Sequence, residues 1–358
     1  MIRSNYYRVI EMKKRFAGMA AALLAAISFL PVSAHAVSAR CAVLMDAQTG
    51  RILYEKNPDE RCLIASCTKI MTALVICEQC NVLDRVRIPK EAVGIEGSSM
   101  YLKEGEVLAV QELLYGLMLH SGNDAAMALA IYCGGTAEGF AELMNDKAYR
   151  LGLENTHFAN PHGLDSTENY STARDLAKLS AYAMDNPIFR RTVSTKTVTV
   201  GNRQLKNHNK LLWQVEGAEG VKTGYTKAAG RILVSSTVRD GRRLIAVTIN
   251  APNDWQDHKS LYAAGFEEYA MQQILHENAV LGTAQVVGGE ADRVALVCKQ
   301  NFSYPVAKNE SVRIVLPAPG FVFAPVAANQ DAGYAYICIG NKAVGKVPVY
   351  YGQTVERQ

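Results

Sequence analysis

Ser66-Cys67-Thr68-Lys69 sets a hydroxyl three residues ahead of an amine, at the head of an apolar run from Ile70 to Cys77. The run has the length and residue types of a buried helix, and helix positions three apart share a face. A serine and a lysine held one turn apart form a nucleophile with its own base. A helix start also offers free backbone N–H groups and the positive end of the macrodipole, which stabilise negative charge that develops during acyl transfer. An S-x-x-K spacing also arises by chance, so the rest of the chain has to support this chemistry.

Two further short motifs follow in order. Ser121-Gly122-Asn123 sits between two apolar segments, Val110 to Leu119 and Asp124 to Tyr132, and both are predicted helices. Ser121 therefore lies on a tight interhelix connection. Lys222-Thr223-Gly224 lies in Gly220 to Tyr225, which reads as the end of a short strand. Each residue alone has an ordinary reading: a solvated helix lysine at 69, helix caps at Ser121 and Asn123, turn chemistry at Thr223-Gly224. Three motifs in sequence, each in a sensible structural context, are far more specific than any one.

The elements that must position them can be read in outline. Two apolar runs, 41–46 and 51–54, flank Asp46-Ala47-Gln48-Thr49-Gly50 and predict a hairpin. An amphipathic helix is predicted from Thr136 to Leu151, and another, capped by Ser171, to about Asp185 with Asp175 in its early turns. Between them lies a polar loop with Asn160-Pro161-His162-Gly163-Leu164-Asp165. From Thr195 the period changes to that of strands. Ile232 to Val238 and Leu244 to Asn250 flank Asp240-Gly241, which favours a type I′ hairpin turn. A helix is expected from about Trp255 to Leu275, and short strand runs separated by Gly- and Pro-bearing turns follow. The expected organisation is a leader over residues 1–36, a mixed domain over 37–277 and a small β domain over 278–358.

The leader has a basic cluster, Lys13-Lys14-Arg15, then a largely apolar stretch from Ala17 to Leu30 and Ala34-His35-Ala36, a small-x-small cleavage pattern. Export with cleavage after Ala36 is expected, with Met1 or Met12 as the start. No later stretch approaches the ~18 consecutive apolar residues that span a bilayer, and the final residues, Tyr350 to Gln358, show no clear apolar face for a membrane-surface helix. A net charge of +4 without basic runs interleaved with aromatics gives no support to nucleic-acid binding. The histidines are scattered and no metal-ligand spacing appears, so no metal or cofactor is expected. The eight cysteines are few for the chain length and read as small buried hydrophobes; Cys77-Glu78-Gln79-Cys80 has redox spacing but no thioredoxin-like pattern around it.

The wording around the motifs resembles the D-alanyl-D-alanine carboxypeptidases among the low-molecular-mass penicillin-binding proteins. The resemblance is carried by 65–74 (ASCTKIMTAL), 119–126 (LHSGNDAA), 160–164 (NPHGL), 171–177 (STARDLA) and 221–226 (VKTGYT). It covers about residues 41–275, and the β region after it resembles the small C-terminal domain of that family more loosely. It implies an α+β penicillin-binding/β-lactamase-like domain, an antiparallel sheet flanked by helices, followed by a small all-β domain.

The implied substrate is a peptidoglycan stem peptide ending in D-Ala-D-Ala, with β-lactams as covalent inhibitors. Ser66 would be the nucleophile and Lys69 its base, with a pKa depressed by burial and by Lys222. Ser121 would pass protons to the leaving amine. Asn123 would pair with the substrate peptide bond. Lys222 and Thr223 would hold the terminal carboxylate, and Gly224 would let the substrate backbone lie against the strand. By the resemblance, the backbone N–H groups of Ser66 and Tyr225 would form the oxyanion hole. His162 and Asp175 sit in family-like wording but read as loop and cap residues, and Cys67 departs from the smaller or hydroxylic residue expected beside the nucleophile.

Competing functions are a β-lactamase, a transpeptidase, and a silent β-lactam-sensing or wall-binding module. The first requires a deacylating glutamate in an E-x-x-L-N arrangement, and residues 121–222 contain none; Glu168-Asn169-Tyr170 does not fit.

Overall fold

The computed structural model describes residues 37–316 and 320–358. The predicted leader lies outside the described residues. The architecture is α+β, with a helix-flanked antiparallel sheet followed by an all-β region.

The central sheet has five strands: β1 (Cys41–Asp46), β2 (Ile52–Lys56), β3 (Ala218–Thr226), β4 (Gly230–Arg239) and β5 (Arg242–Ile249). Their spatial order is β2-β1-β5-β4-β3, antiparallel throughout, so β3 is an edge strand. Both expected hairpins form. The β4–β5 turn has positive φ at Asp240 and Gly241, as a type I′ turn requires.

Side chains alternate between the two faces of the sheet. Val43, Val234, Ile245 and Val247 join the main core with α1 (Lys69–Gln79). That helix is buried from Lys69 to Cys77, which is why its sequence shows no polar face. Around it pack α2 (Val110–Leu119), α3 (Asn123–Gly134), α4 (Ala137–Arg150), α5 (Ala173–Asp185) and α6 (Pro187–Ser194). The opposite sheet face meets α8 (Asp254–Glu268), which follows a one-turn helix α7 (Leu211–Gln214). Gly265 of α8 lies so close to Leu44 and Leu244 that a Cβ would come within 2.6–2.8 Å of them.

Caps explain most boundaries. Thr136 Oγ1 accepts from Gly139 N at 3.0 Å and starts α4 as expected. The cap of α5 is Thr172 rather than Ser171; its Oγ1 accepts from Asp175 N at 3.1 Å, while Ser171 lies in a two-residue strand paired with Cys62–Leu63.

The helix expected to reach Leu275 ends at Glu268. Residues Tyr269–Leu275 form a strand paired antiparallel with Phe302–Ala307. A partner about thirty residues away overrides the local helical pattern, a tertiary effect on a segment of intermediate propensity.

The remaining strands make a six-stranded sheet in the spatial order 312–315, 331–339, 342–351, 293–298, 280–287, 321–323. Val286, Val294, Leu296, Ile337, Val347 and Val349 fill a second core. The chain end is stitched to this region, since Val355 is buried and bridges to Val326. Arg51 of the β1–β2 hairpin bonds to the Pro305 carbonyl and pairs with Glu310, tying the two regions together.

Candidate active site

Ser66 sits in a 3₁₀ turn, Ala65–Thr68, and Lys69 opens the α-helix that follows. Residues three apart eclipse in a 3₁₀ turn, which brings Lys69 Nζ to 3.0 Å from Ser66 Oγ. The turn is held in an unusual backbone state: Ala65 has φ +45°, a conformation that costs a side-chain-bearing residue roughly 1 kcal/mol or more. Two glycines accommodate it. A Cβ on Gly163 would come within 2.0 Å of the Ala65 carbonyl oxygen, and one on Gly224 would meet Cys67 Sγ and Ile64 O at 3.2 Å. A Cβ there would face the Ser66-bearing turn, so the glycine also serves packing within the protein.

Lys69 is fully buried. Its amine lies 3.0 Å from Ser66 Oγ and donates to Asn123 Oδ1 at 2.7 Å and to the His162 carbonyl. Burial, and secondarily the charge of Lys222, hold its pKa well below the ordinary lysine range. In the neutral amine, two N–H groups meet the two partners that can only accept, Asn123 Oδ1 and His162 O. The lone pair is left for the one partner that can donate, the Ser66 hydroxyl. This geometry aims the lone pair of a neutral Lys69 at the Ser66 hydroxyl.

Ser121 and Asn123 join the site from the α2–α3 connection. Ser121 adopts φ +64° and is 5% exposed. The connection is fixed by Gly122 N to Gly116 O (3.0 Å) and Asn123 N to Ser98 O (2.7 Å). Asp124 supports it from beneath by accepting from Met100 N, Leu102 N and Ser99 Oγ at 2.6–3.1 Å. The Asn123 amide is committed within the protein, its oxygen to Lys69 and its nitrogen to the Glu96 carbonyl, and it does not line the cleft. Asn123 thus holds the Lys69 amine in place.

Successive residues of β3 point to opposite faces, and this separates the third motif. Lys222 and Gly224 pair in register with Val234 and Ile232 of the core face. Thr223 and Tyr225 turn to the other side, and Thr223, Gly224 and Tyr225 all line the cleft, which opens along the free edge of β3. Lys222 is buried, its amine donates to Thr223 O at 2.8 Å, and burial lowers its pKa to about 8. The cations lining the cleft are Lys206, Lys210 and Arg231.

The cleft has a volume of about 910 Å³ and brings together Ser66, Ser121, Thr223, Gly224 and Tyr225. Lys69, Asn123 and Lys222 lie behind its wall. Among the described residues, Asp254 is the one carboxylate lining it, and both its oxygens are held by Arg231 at 2.9 Å.

Several residues of the site were not singled out from the sequence. The 160–164 loop delivers the His162 carbonyl to Lys69. Asn160 Oδ1 shapes the loop by accepting from His162 N and Gly163 N, and Thr72 Oγ1 anchors it at Pro161 O (2.7 Å). An Asn-Pro-x-Gly string was the available signal, because it marks a tight, side-chain-braced turn. Asp175 braces the chain leading into that loop, accepting from Asn155 N and Thr156 Oγ1 at 2.9 Å, so its carboxylate is a long-range brace rather than a cap. His120 and His208 face each other across the cleft wall, with ring centroids 5.4 Å apart. No local signal marks such a pair, eighty-eight residues apart in the chain.

A buried lysine aimed at a serine hydroxyl, beside an edge strand, defines an active-serine acyl-transfer enzyme of the lysine-activated kind. The comparisons narrow this. The D-alanyl-D-alanine carboxypeptidase family profile matches residues 30–253, and the profile of the penicillin-binding protein 5 C-terminal domain matches 269–357. The D-alanyl-D-alanine carboxypeptidase DacD of Salmonella typhimurium is 34% identical over 344 residues, 90% of this chain and 88% of its own. DacC of Escherichia coli is 34% identical over 91% of this chain and 86% of its own. Among solved structures, penicillin-binding protein 5 of Haemophilus influenzae superposes with a TM-score of 0.78 at 30% identity, covering 91% of this chain and all of that one. The chain belongs to the D-alanyl-D-alanine carboxypeptidase family.

Proposed function

We propose that the protein is a serine D-Ala-D-Ala carboxypeptidase that removes the terminal D-Ala from peptidoglycan stem peptides through an acyl-enzyme. The carrying observation is the Ser66–Lys69 pair at 3.0 Å, with the lysine buried and its other two N–H groups engaged. Neutral Lys69 takes the Ser66 proton as Oγ attacks the penultimate D-Ala carbonyl. The oxyanion forms toward the backbone N–H groups of Ser66 and Tyr225, and each such donor contributes roughly 3–4 kcal/mol to acyl-transfer barriers. Ser121 relays the proton to the leaving D-Ala nitrogen. Water, activated by Lys69 once its proton has left, then releases the acyl group.

In this reading Thr223 donates to the terminal carboxylate and Lys222 supplies the charge, with Asn123 pairing with the substrate peptide bond and Gly224 and Tyr225 beside it in the cleft lining. Lys222 also helps to keep Lys69 neutral. A β-lactam presents the same carboxylate and a strained amide, so it acylates Ser66 and leaves slowly. The lone cleft carboxylate is already engaged by Arg231, which gives no support to the glutamate-assisted deacylation of a β-lactamase.

The leader and cleavage pattern over 1–36 place the activity outside the cytoplasm, and no described helix is long and apolar enough to cross a membrane. In this reading residues 37–277 carry the catalysis and 278–358 act as a spacer or interaction module, joined through the strand Tyr269–Leu275 that pairs with Phe302–Ala307.

The test is D-Ala release from a peptide ending in D-Ala-D-Ala, run beside fluorescent-penicillin labelling. Wild type should release D-Ala and label covalently, and Ser66→Ala should do neither. Undiminished release by Ser66→Ala, or rapid β-lactam turnover by wild type, contradicts the assignment.

A further inference from the structure

The segment that carries Ser66 begins and ends at a cysteine with a second cysteine beside it. Cys62 lies four residues before Ser66, in the short strand 62–63, with its sulfur 3.7 Å from that of Cys41 on β1. Cys80 caps the C-terminus of α1, and Cys133 on α3 packs beside that end, its Sγ donating to Gln79 Oε1, the residue before Cys80, at 3.7 Å. All four thiols are free. The remaining cysteines are occupied differently: Cys67 Sγ contacts the Lys222 carbonyl and Cys298 Sγ that of His276.

We propose that Cys41–Cys62 and Cys80–Cys133 are two disulfide-forming pairs that staple the nucleophile-bearing segment 62–80 at both ends, to the central sheet and to α3.

The first pair needs a closing movement of roughly 1.7 Å to reach the S–S bond length. Access is asymmetric. Cys41 is fully buried and Cys62 is partly exposed. The partly exposed Cys62 thiolate attacks an external disulfide, from a small-molecule disulfide such as oxidised glutathione or a disulfide-donating oxidoreductase, and expels one donor thiolate. The Cys41 thiolate then attacks the Cys62 sulfur and expels the second. The cysteines lose two protons and two electrons, and the donor disulfide is reduced to two thiols. Cys80 and Cys133 are both partly exposed and react by the same exchange in either order.

A metal is the competing use of the first pair, because Glu60 is within ligand range of both sulfurs. The geometry favours the disulfide. Glu60 is already paired with Arg40, and among the described residues the Cys80–Cys133 pair has no third ligand to complete a metal site. One chemistry therefore accounts for both pairs. An exported chain would form these bonds in an oxidising compartment. The test does not depend on that, so failure of the export reading and failure of the pairing are distinguishable.

Reduced, purified protein is equilibrated in a glutathione buffer poised near about −200 mV. It is then denatured, alkylated, digested and mapped, with zinc measured in parallel. Four cysteines should alkylate without reductant and all eight with it. The linked peptides should be 41–62 and 80–133. The oxidised protein should melt about 5 °C or more above the reduced one, and Cys62→Ser and Cys133→Ser, at the partly exposed positions, should each remove part of that gap. Alkylation of all eight in the oxidising buffer, a different pairing, or stoichiometric zinc on a reduced Cys41–Cys62 pair overturns the proposal.

Discussion

The two faces of the central sheet each bury a hydroxyl against a nitrogen base, and only one of them can do chemistry. On the α8 face, Ser235 Oγ is 2.6 Å from His258 Nδ1 and 2.6 Å from Tyr262 OH, while Thr248 Oγ1 is 3.0 Å from His258 Nε2. All four residues are fully buried, and burial holds the His258 pKa near 3. On the other face, Lys69 meets Ser66 at 3.0 Å, and Ser66 opens into a cleft of about 910 Å³. A close hydroxyl–base contact is therefore not the distinguishing property. What differs is access for an acyl group, and a base whose other hydrogen-bonding capacity is used up by groups that can only accept. The His258 network is closed on itself and adds cohesion; the Lys69 network leaves one proton-transfer route free.

The contrast is broken most sharply by exchanging the two serines for alanine. Ser66→Ala should cut penicillin labelling and D-Ala release by at least about 10³-fold with little change in stability. Ser235→Ala should leave the folded protein's labelling within about twofold of wild type, yet lower its unfolding free energy by about 1–3 kcal/mol, because His258 and Tyr262 lose a partner. Equal inactivation by both, measured by labelling of folded protein, would mean that the α8 face takes part in the reaction.

Asn123→Ala should slow acylation by about 10²-fold, since the Lys69 lone pair is no longer directed at Ser66. Single-turnover labelling checks this, and an unchanged rate would remove Asn123 from the orienting role. Lys222→Gln deletes a neighbouring positive charge that lowers the Lys69 pKa. Lys69 should then protonate at higher pH, and the acid limb of the acylation profile should move upward in pH.

His258 sharpens the other side of the comparison. It is neutral in the fold with a pKa near 3 but titrates near ~6.5 when unfolded, so the unfolded state binds more protons between those values. Stability should be complete above pH ~6.5 and fall as pH drops toward 3, by up to about 1.4 kcal/mol per unit for this group. Urea titrations at several pH values read this slope, and His258→Gln should flatten it. The smallest effect is expected from Gly224→Ala, about 1 kcal/mol of stability, because Cys67 and Ile64 must shift by a few tenths of an ångström.

Much of the catalytic face was legible because its signals are local. The 110–119 helix, the Ser121 connection and the Asp240-Gly241 turn each follow from periodicity or turn chemistry within a dozen residues. The expected pairing of Ser66 with Lys69 also held, although through a 3₁₀ turn rather than the first turn of an α-helix. What escaped depends on distance in the chain. The His162 carbonyl reaches Lys69 only because Asn160, Gly163 and Thr72 fold a remote loop against the Ser66 turn. Lys222 and Thr223 share one short motif, and strand alternation sends their side chains to opposite faces of β3, which motif spacing alone does not show. The Tyr269–Leu275 strand needs Phe302–Ala307 to exist at all.

The central claim is that neutral Lys69 is the base for Ser66. The direct measurement is the rate of Ser66 acylation by a fluorescent penicillin across pH, for wild type and Lys69→Gln, with folding checked by circular dichroism. Wild type should rise with pH along a limb of unit slope to a plateau, and Lys69→Gln should be slower by about 10³-fold and lack that limb. A Lys69→Gln protein that keeps the wild-type limb and rate would contradict the assignment.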